Sequence, residues 1–288
     1  MSDQSADLST AQLGDVTVPE LYRSGRAKQN RAKRNRLISY AIGLGVFIAI
    51  VAFGDWGKIQ RLYFDPDVAW EQFPDIIKIA AKNTLIYTFG AFLGGVAIGL
   101  LMAIMKMSSL RPYRWFAVVY IEIFRGLPAL LTIFLVGFGT PTALGVQFPE
   151  ILGVPTAGII ALALVAGAYL AETIRAGIQG VPRGQVEAAR SLGMSTSQTL
   201  RVVVVPQAFR LVIPPLTNEM VLLLKDTALL SALGTTAATV ELTKFGRDAF
   251  NDNFNNTPFI VAGLMYLMLT IPLTYLVGRL EKRNQASR

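Results

Sequence analysis

Histidine and cysteine are both absent from the 288 residues of this chain. Without them the sequence has no disulfide, no thiolate nucleophile, no zinc site and no imidazole for acid–base catalysis. Charged residues are also scarce: they make up 16% of the chain, against about 25% in a typical soluble domain. We therefore predict that this chain has neither a catalytic nor a metal-binding centre.

Hydrophobic residues make up 52% of the chain. They are concentrated in runs of about 20 residues, the length that crosses a hydrocarbon core about 30 Å thick. The sequence therefore predicts an all-α polytopic membrane protein with six transmembrane helices. The predicted spans are Leu37–Gly54, Ile76–Met107, Trp115–Gly139, Thr156–Gly180, Gln207–Leu233 and Pro258–Gly278.

The first span has an alternative interpretation as a cleaved signal peptide. Ala52-Phe53-Gly54 loosely resembles a small-x-small cleavage site. The apolar run is longer than a usual signal-peptide core, and its polar lead-in is far too long. Both features favour an uncleaved helix.

Lys and Arg give the chain a net charge of +8 and set its expected orientation. Six spans place the basic stretches 23–36 and 183–210 on the same side, which the positive-inside rule makes cytoplasmic. A basic extension beside a membrane is interpreted as contact with membrane lipid, not with nucleic acid. The predicted regions are a cytoplasmic extension (1–36), a first helix (37–54), a membrane core (76–280) and a cytoplasmic tail (281–288).

Small residues indicate which spans pack closely. The second span carries glycines at the small-xxx-small spacing that lets another helix approach. The fourth span is rich in Ala and Gly, which predicts that protein covers most of it. The glycines of the second span are Gly90, Gly94, Gly95 and Gly99.

One long polar segment, residues 182–206, interrupts the apolar second half of the chain; we call it the knob. Good helix formers occupy Gln185–Leu192, Gly193 then ends that helix, and Ser195 or Thr196 can cap a second short helix. Two short helices joined by a glycine predict a compact docking element. The alternative is an amphipathic connector on the membrane surface. The apolar residues expected on one face of the first helix are Val186, Ala189 and Leu192.

The knob resembles the EAA loop of the permease subunits of ATP-binding-cassette (ABC) importers. Its Glu187-Ala188-Ala189 is followed after three residues by Gly193, and nine residues later by Val203-x-Val205-Pro206. Three further motifs resemble those of the polar amino-acid subgroup, and the resemblance covers roughly Asn83–Arg283. These motifs are Tyr120-Ile-Glu122-Ile-Phe124-Arg125-Gly126-Leu-Pro128; Ala168-Tyr169-Leu-Ala-Glu172-Thr-Ile-Arg175-Ala-Gly177-Ile178; and Pro206-Gln207-Ala208-Phe-Arg210 with Pro214, Asn218 and Lys225-Asp226-Thr227.

The resemblance implies a type I ABC importer permease architecture with cytoplasmic coupling helices, in a bacterial cytoplasmic membrane with both termini inside. It implies a separate ATPase, a second permease (identical or homologous), an extracytoplasmic solute-binding protein and a polar amino-acid substrate such as glutamate or glutamine. The sequence has no Walker motif. The chain is therefore expected to be no enzyme and to bind no cofactor, with ATP-Mg on the partner. The residues expected to couple to the ATPase are Glu187, Ala188, Ala189, Arg190, Gly193 and Pro206.

Charged side chains inside spans are costly and are usually paired or functional. Glu122 and Arg125 lie three residues apart in the third span, as do Glu172 and Arg175 in the fourth. At that spacing each pair shares a helix face and is predicted to neutralise itself. Two roles stay open: an ion lattice that fixes packing, or an inner gate.

The fifth span is the candidate substrate pathway. Pro214-Pro215 predicts a break in the helix, which is tolerated beside a cavity. A zwitterionic amino acid needs both acidic and basic partners; pairing of Lys225 with Asp226 is the alternative reading. The pathway candidates are Asn218, Glu219, Lys225 and Asp226.

Another class of transport protein remains open. An ion-coupled secondary amino-acid transporter also contains broken helices. It predicts uptake that persists without ATP or an ATPase partner, and it has no use for a protruding knob.

Overall fold

The computed structural model describes residues 18–286, and side chains within 33–282. The chain divides into two compact units, residues 1–59 and 60–288. The α-helices are α1 Val18–Phe53, α2 Trp56–Tyr63, α3 Pro66–Glu71, α4 Lys82–Met107, α5 Arg111–Gly126, α6 Ala129–Phe134, α7 Thr140–Leu144, α8 Thr156–Gln179, α9 Arg183–Ser191, α10 Thr196–Thr199, α11 Val205–Asp226, α12 Leu242–Asn253 and α13 Thr257–Ala286. The other elements are π-helical turns (Ile76–Ala81, Leu135–Gly139, Leu200–Val204), a 3-10 helix (Thr227–Ala232) and the antiparallel strands β1 (Glu150–Ile151) and β2 (Val154–Pro155).

In the first unit, α1 is one helix of 36 residues. It begins at Val18, well before the predicted start of the span at Leu37, because the basic lead-in is rich in good helix formers. Lys33–Phe53 is long and apolar enough to cross a membrane, and its side chains are exposed. The predictions for residues 1–17 lie outside the described residues.

The described part of the second unit has four more stretches long and apolar enough to span: Ile76–Met107, Thr156–Gln179, Thr196–Ala232 and Thr257–Lys282. The predicted third span is not one straight helix. Its two halves, Arg111–Gly126 and Ala129–Leu144, meet at 107°, so a sixth span exists only if this bent pair is one span. Pro128 explains the bend, because proline disfavours helical backbone at the residue before it; Leu127 is extended, with ψ 141°.

Helices α4 and α8 pack side by side in parallel at the centre of this unit. A Cβ placed on Gly99 would lie 2.8 Å from the Cβ of Leu170 and 3.1 Å from the backbone oxygen of Gly167. The predicted close approach at these glycines is confirmed, and α8 is the most buried of the candidate spans. The contacts in order are Gly90 with Ile159, Gly94 with Ala163, Gly95 with Ala166 and Gly99 with Leu170.

Helix α11 packs antiparallel to α8, with Gly177 of α8 seated against Val212. The predicted break at Pro214-Pro215 is wrong, because α11 continues through both prolines. Pro214 is buried against neighbouring helices, and such packing holds a membrane helix despite lost N–H donors. The span also begins earlier than predicted: residues 196–232 form one helical series, so the second helix of the knob continues into it.

The segment that precedes α12 is fixed to the first turns of α4. Asn83 Nδ2 donates to the backbone oxygens of Ala238 at 2.8 Å and Val240 at 3.0 Å. Thr84 Oγ1 accepts the N–H of Leu242 at 3.1 Å. These bonds hold residues 238–242 against the first turns of α4.

Glu241 caps α12 and is fully buried. Its carboxylate accepts the N–H groups of Thr243 at 2.6 Å and Lys244 at 2.7 Å, and the hydroxyl of Tyr266 at 3.0 Å. Three hydrogen bonds thus replace the water that the carboxylate gives up. No motif or spacing in the sequence singles out this residue.

Glu241 is expected to make stability depend on pH. Burial raises the pKa of its carboxyl group, and the hydrogen bonds oppose that shift only in part. Since the pKa is higher folded than unfolded, the linked stability is present below the unfolded value of about 4.3 and is lost as pH rises through the folded value. Glu241→Gln should therefore flatten the fall in melting temperature as pH rises above the unfolded value. Glu150→Gln, at an exposed carboxylate, is the control; an equal slope in both variants would contradict this assignment.

Candidate functional site

The knob consists of two short helices that meet at Gly193. At the end of α9 the N–H of Gly193 donates to the oxygen of Arg190 at 3.0 Å, and the N–H of Met194 donates to the oxygen of Ala189 at 3.1 Å. Gly193 has φ +83°, a backbone conformation that favours glycine. The predicted helix–glycine–helix form is confirmed.

The second helix of the knob begins at Ser195, one of its two predicted caps. Ser195 Oγ accepts the N–H of Gln198 at 3.2 Å, and Gln198 Oε1 accepts the N–H of Ser195 at 2.8 Å. This reciprocal pair satisfies two N–H groups at the start of the helix. Arg190 also donates to the backbone oxygen of Met194 at 2.9 Å, which ties the two helices together.

The knob presents most of its motif residues outward. Ala189 is buried, but Leu192 is 81% exposed, so the predicted single face with Val186 is not buried as a whole. An exposed leucine two residues after Arg190 suits a protein partner better than water. The exposed motif residues are Glu187, Ala188, Arg190 and Pro206.

The charge cluster of α8 has a partner that the sequence analysis missed. Glu172 binds Arg175 at 2.6 Å, as predicted, and it also binds Lys106 at the end of α4. Arg175 extends the cluster to Gln179, at 2.6 Å. The lysine ending the second apolar run was a signal for this pairing, but only the parallel packing of α4 and α8 brings it to Glu172.

The second predicted pair does not form. Arg125 lies over the ring of Tyr169, 5.6 Å from its centre, and Glu122 is exposed. Arg125 therefore joins the third and fourth spans through a cation–π contact, beside the hydrogen bond from the Tyr120 hydroxyl to the backbone oxygen of Leu164 at 2.6 Å. An ion pair between Glu122 and Arg125 was the wrong prediction, because α5 is turned so that Arg125 faces α8.

A cavity of about 300 Å³ lies between α8, α11 and the start of α6. Glu219 and Asp226 supply its carboxylates. They stand seven residues apart, which places them on one face of α11. Tyr169 forms part of the opposite wall, and the guanidinium of Arg125 lies over its ring.

Two of the four predicted pathway residues are not part of this cavity. Asn218 and Lys225 are exposed and do not line it. They occupy the neighbouring positions on α11 and therefore point to another side of the helix. Within the described residues, Lys225 makes no ion pair with Asp226.

Most of the second unit matches a known protein family. A family model described as "Binding-protein-dependent transport system inner membrane component" matches residues 95–285. That range contains the knob, the Glu172 cluster and the cavity.

Individual relatives resemble most of the chain. The probable glutamine ABC transporter permease protein GlnM of Bacillus subtilis (strain 168) is 37% identical over 205 residues, 71% of this chain and 91% of the relative. The arginine transport system permease protein ArtQ of the same strain is 32% identical over 216 residues, 75% and 95% of the two chains. A crystal structure of an amino acid ABC transporter with histidines matches with a TM-score of 0.66 at 38% identity, over 74% of this chain and 95% of the other.

Proposed function

Because the chain belongs to the family of inner-membrane components of binding-protein-dependent transport systems, we propose that it forms the translocation pathway of an ATP-driven polar amino-acid importer. As a permease subunit it is not catalytic, and ATP binds to a separate ATPase. The observation that carries the proposal is the carboxylate-lined cavity, built on the helical series that begins in the exposed knob. The relatives named for glutamine and arginine support the substrate class.

The helical series 196–232 connects the knob directly to the wall of the cavity. From Ser195 to Glu219 the chain rises about 36 Å at 1.5 Å per residue. A partner that moves the knob therefore moves the wall of the cavity, because no loop intervenes. The residues proposed to engage the ATPase are Glu187, Ala188, Ala189, Arg190, Gly193 and Pro206.

The Glu172 cluster is proposed to hold α4 and α8 together while α11 moves. Glu172 accepts from two cations, so one partner can move away without leaving this half-buried carboxylate unpaired. Arg125 over Tyr169 fixes the neighbouring α5. Together these contacts form the proposed rigid side of the pathway.

The cavity favours a substrate with a positive group. Glu219 and Asp226 both line it, and an ammonium group is the natural partner for two carboxylates in partly apolar surroundings. An anionic side chain near them is disfavoured by repulsion. We therefore infer neutral or cationic polar amino acids, such as glutamine or arginine, ahead of glutamate.

Reconstitution tests the class directly. The chain is placed in proteoliposomes with its ATPase, a second permease and an extracytoplasmic solute-binding protein, and uptake of labelled glutamine, arginine and glutamate is measured. We expect uptake that requires ATP and the binding protein. Uptake without ATP that follows an ion gradient would replace this proposal by the ion-coupled transporter.

Removing the cavity charges should lower uptake. Glu219→Gln with Asp226→Asn is expected to raise the substrate concentration for half-maximal uptake by at least about tenfold, since hydrogen bonds to charged groups are the stronger kind. Lys225→Gln, at an exposed position of the same helix, is the matched control. Equal effects of the two changes would show that the cavity does not hold the substrate.

The proposed orientation places both termini and the knob in the cytoplasm. It requires the bent pair Arg111–Gly126 and Ala129–Leu144 to count as one span. The basic residues beside the knob support it through the positive-inside rule. Protease access to tags at each terminus in sealed vesicles tests it.

A further inference from the structure

A second cavity lies further along α8, nearer its first residue. It has a volume of about 190 Å³ and is lined by Tyr87, Gly158, Leu233 and Thr235, among others. That volume equals about six water molecules at about 30 Å³ each. We call it the entry cavity, and the cavity beside Glu219 the central cavity.

The entry cavity contains an unsatisfied polar atom. Within the described residues, Thr235 Oγ1 is buried without a hydrogen-bond partner. Buried hydroxyl groups are normally paired, so this one is suited to a polar molecule in the cavity. Exposed Gly234 and Phe138 at its edge open the cavity to the surface.

The 3-10 helix Thr227–Ala232 connects the two cavities along the chain. Asp226 lines the central cavity, and Leu233 lines the entry cavity. Short 3-10 segments are frequent at the ends of α-helices and as connectors. The element between the cavities is therefore one short connector of six residues.

Leu230 of this segment lies between the cavities. It is fully buried, and it belongs to the same core cluster as Leu162 and Leu223 of the central cavity. A Cβ placed on Gly158, in the entry cavity, would be 3.1 Å from its methyl carbons. Leu230 thus packs against Gly158 in the wall of the entry cavity, shares a core cluster with two wall residues of the central cavity, and lines neither.

Leu233, which lines the entry cavity, is also seated against a glycine. A Cβ placed on Gly137 would be 2.4 Å from one of its methyl carbons. Leu230 and Leu233 are therefore seated in spaces that exist because glycine has no side chain. Seats of this kind fit one arrangement of the segment closely, because protein interiors are close-packed.

We propose that the entry cavity is a first, transient site for a polar amino acid, and that Leu230 is the gate between it and the central cavity. The segment Thr227–Leu233 withdraws to let the solute pass towards Glu219 and Asp226. This proposal rests on the proposed function, because it assumes that the central cavity receives substrate.

The absence of cysteine from the chain allows a direct test. In the complete transporter in proteoliposomes, Thr235→Cys reports on the entry cavity and Ala166→Cys on the central one. An impermeant thiol reagent is added on the side of the solute-binding protein. We expect Thr235→Cys to react and Ala166→Cys to be protected.

Adding Leu230→Ala should speed the reaction of Ala166→Cys by at least about tenfold. Removing a buried leucine side chain usually shifts the equilibrium between a closed and an open packing by more than that factor. Leu264→Ala, at a 55% exposed position of α13, is the matched control.

A second variant keeps the proposal testable if Leu230→Ala fails to fold. Gly158→Ala adds a methyl group against Leu230, whereas Gly263→Ala meets nothing within 4 Å. We expect Gly158→Ala to slow uptake at least about fivefold, within the usual cost of overpacking, while assembly with the ATPase persists. Labelling of Ala166→Cys that is unaffected by Leu230→Ala, or normal uptake by Gly158→Ala, would overturn the gate. Absence of ATP-dependent uptake in the unsubstituted transporter would instead overturn the proposed function.

Discussion

Gly193→Val is expected to abolish coupled uptake while leaving the chain inserted and folded. Gly193 holds φ +83° between the two helices of the knob. A left-handed conformation costs an ordinary residue about 1–2 kcal/mol, and a β-branched side chain is least tolerant of it. The knob would then lose the cap that joins Gly193 and Met194 to α9, and the two helices would no longer meet at the same angle.

The measurement is a comparison of ATP hydrolysis and uptake in the reconstituted transporter. We expect uptake to fall by at least about tenfold, the factor that corresponds to 1.4 kcal/mol, and hydrolysis to lose its dependence on substrate and binding protein. Gly184→Val is the matched control, since a Cβ at Gly184 meets nothing within 4 Å. Asparagine tolerates the left-handed region, so Gly193→Asn should retain part of the uptake. Unchanged coupling in Gly193→Val would remove the knob from the mechanism.

Gly99→Val is expected to prevent α4 and α8 from packing. A Cβ at Gly99 already lies 2.8 Å from the Cβ of Leu170 and 3.0 Å from the backbone nitrogen of Ala171. Backbone and Cβ atoms cannot turn away as a flexible side chain does, so the helices must separate. Separation also pulls Lys106 from Glu172, which lie further along the same two helices.

We expect this variant to lose at least about 3 kcal/mol of folding free energy, the upper part of the usual range for overpacking. Thermal unfolding in detergent measures the loss, and yield of the assembled transporter reports it independently. Gly263→Val in α13 makes the same change where a Cβ has no neighbour within 4 Å, and it should behave like the unsubstituted protein. A melting temperature equal to that of Gly263→Val would mean that α4 and α8 are not held at this contact.

Several features followed from the sequence because their causes are local. A run of apolar residues specifies a membrane helix by its length alone. Gly193 and Ser195 specify the turn of the knob through backbone conformation and a cap that involve only near neighbours. The glycines of α4 predicted a close helix partner without naming it. Motif spacing in the knob indicated the family, which the match to residues 95–285 confirmed.

Other predictions failed because local signals do not fix how helices rotate against each other. Spacing alone paired Glu122 with Arg125, yet the orientation of α5 put Arg125 over Tyr169. Pro214-Pro215 signalled a break, but packing of Pro214 within the bundle kept α11 continuous. At Pro128, by contrast, the preceding Leu127 is extended, and the two halves of the third span meet at 107°.

The sequence by itself determined the membrane class, the positions of most spans, the form of the knob and the family. The tertiary structure alone decided that Lys106 binds Glu172, 66 residues away, and that Glu219 and Asp226 face a cavity while Asn218 and Lys225 do not. The physical reason is the reach of each interaction. Apolar runs, helix caps and backbone preferences depend on one continuous stretch of chain. The partner of a charged side chain inside the bundle depends instead on the register and rotation of packed helices.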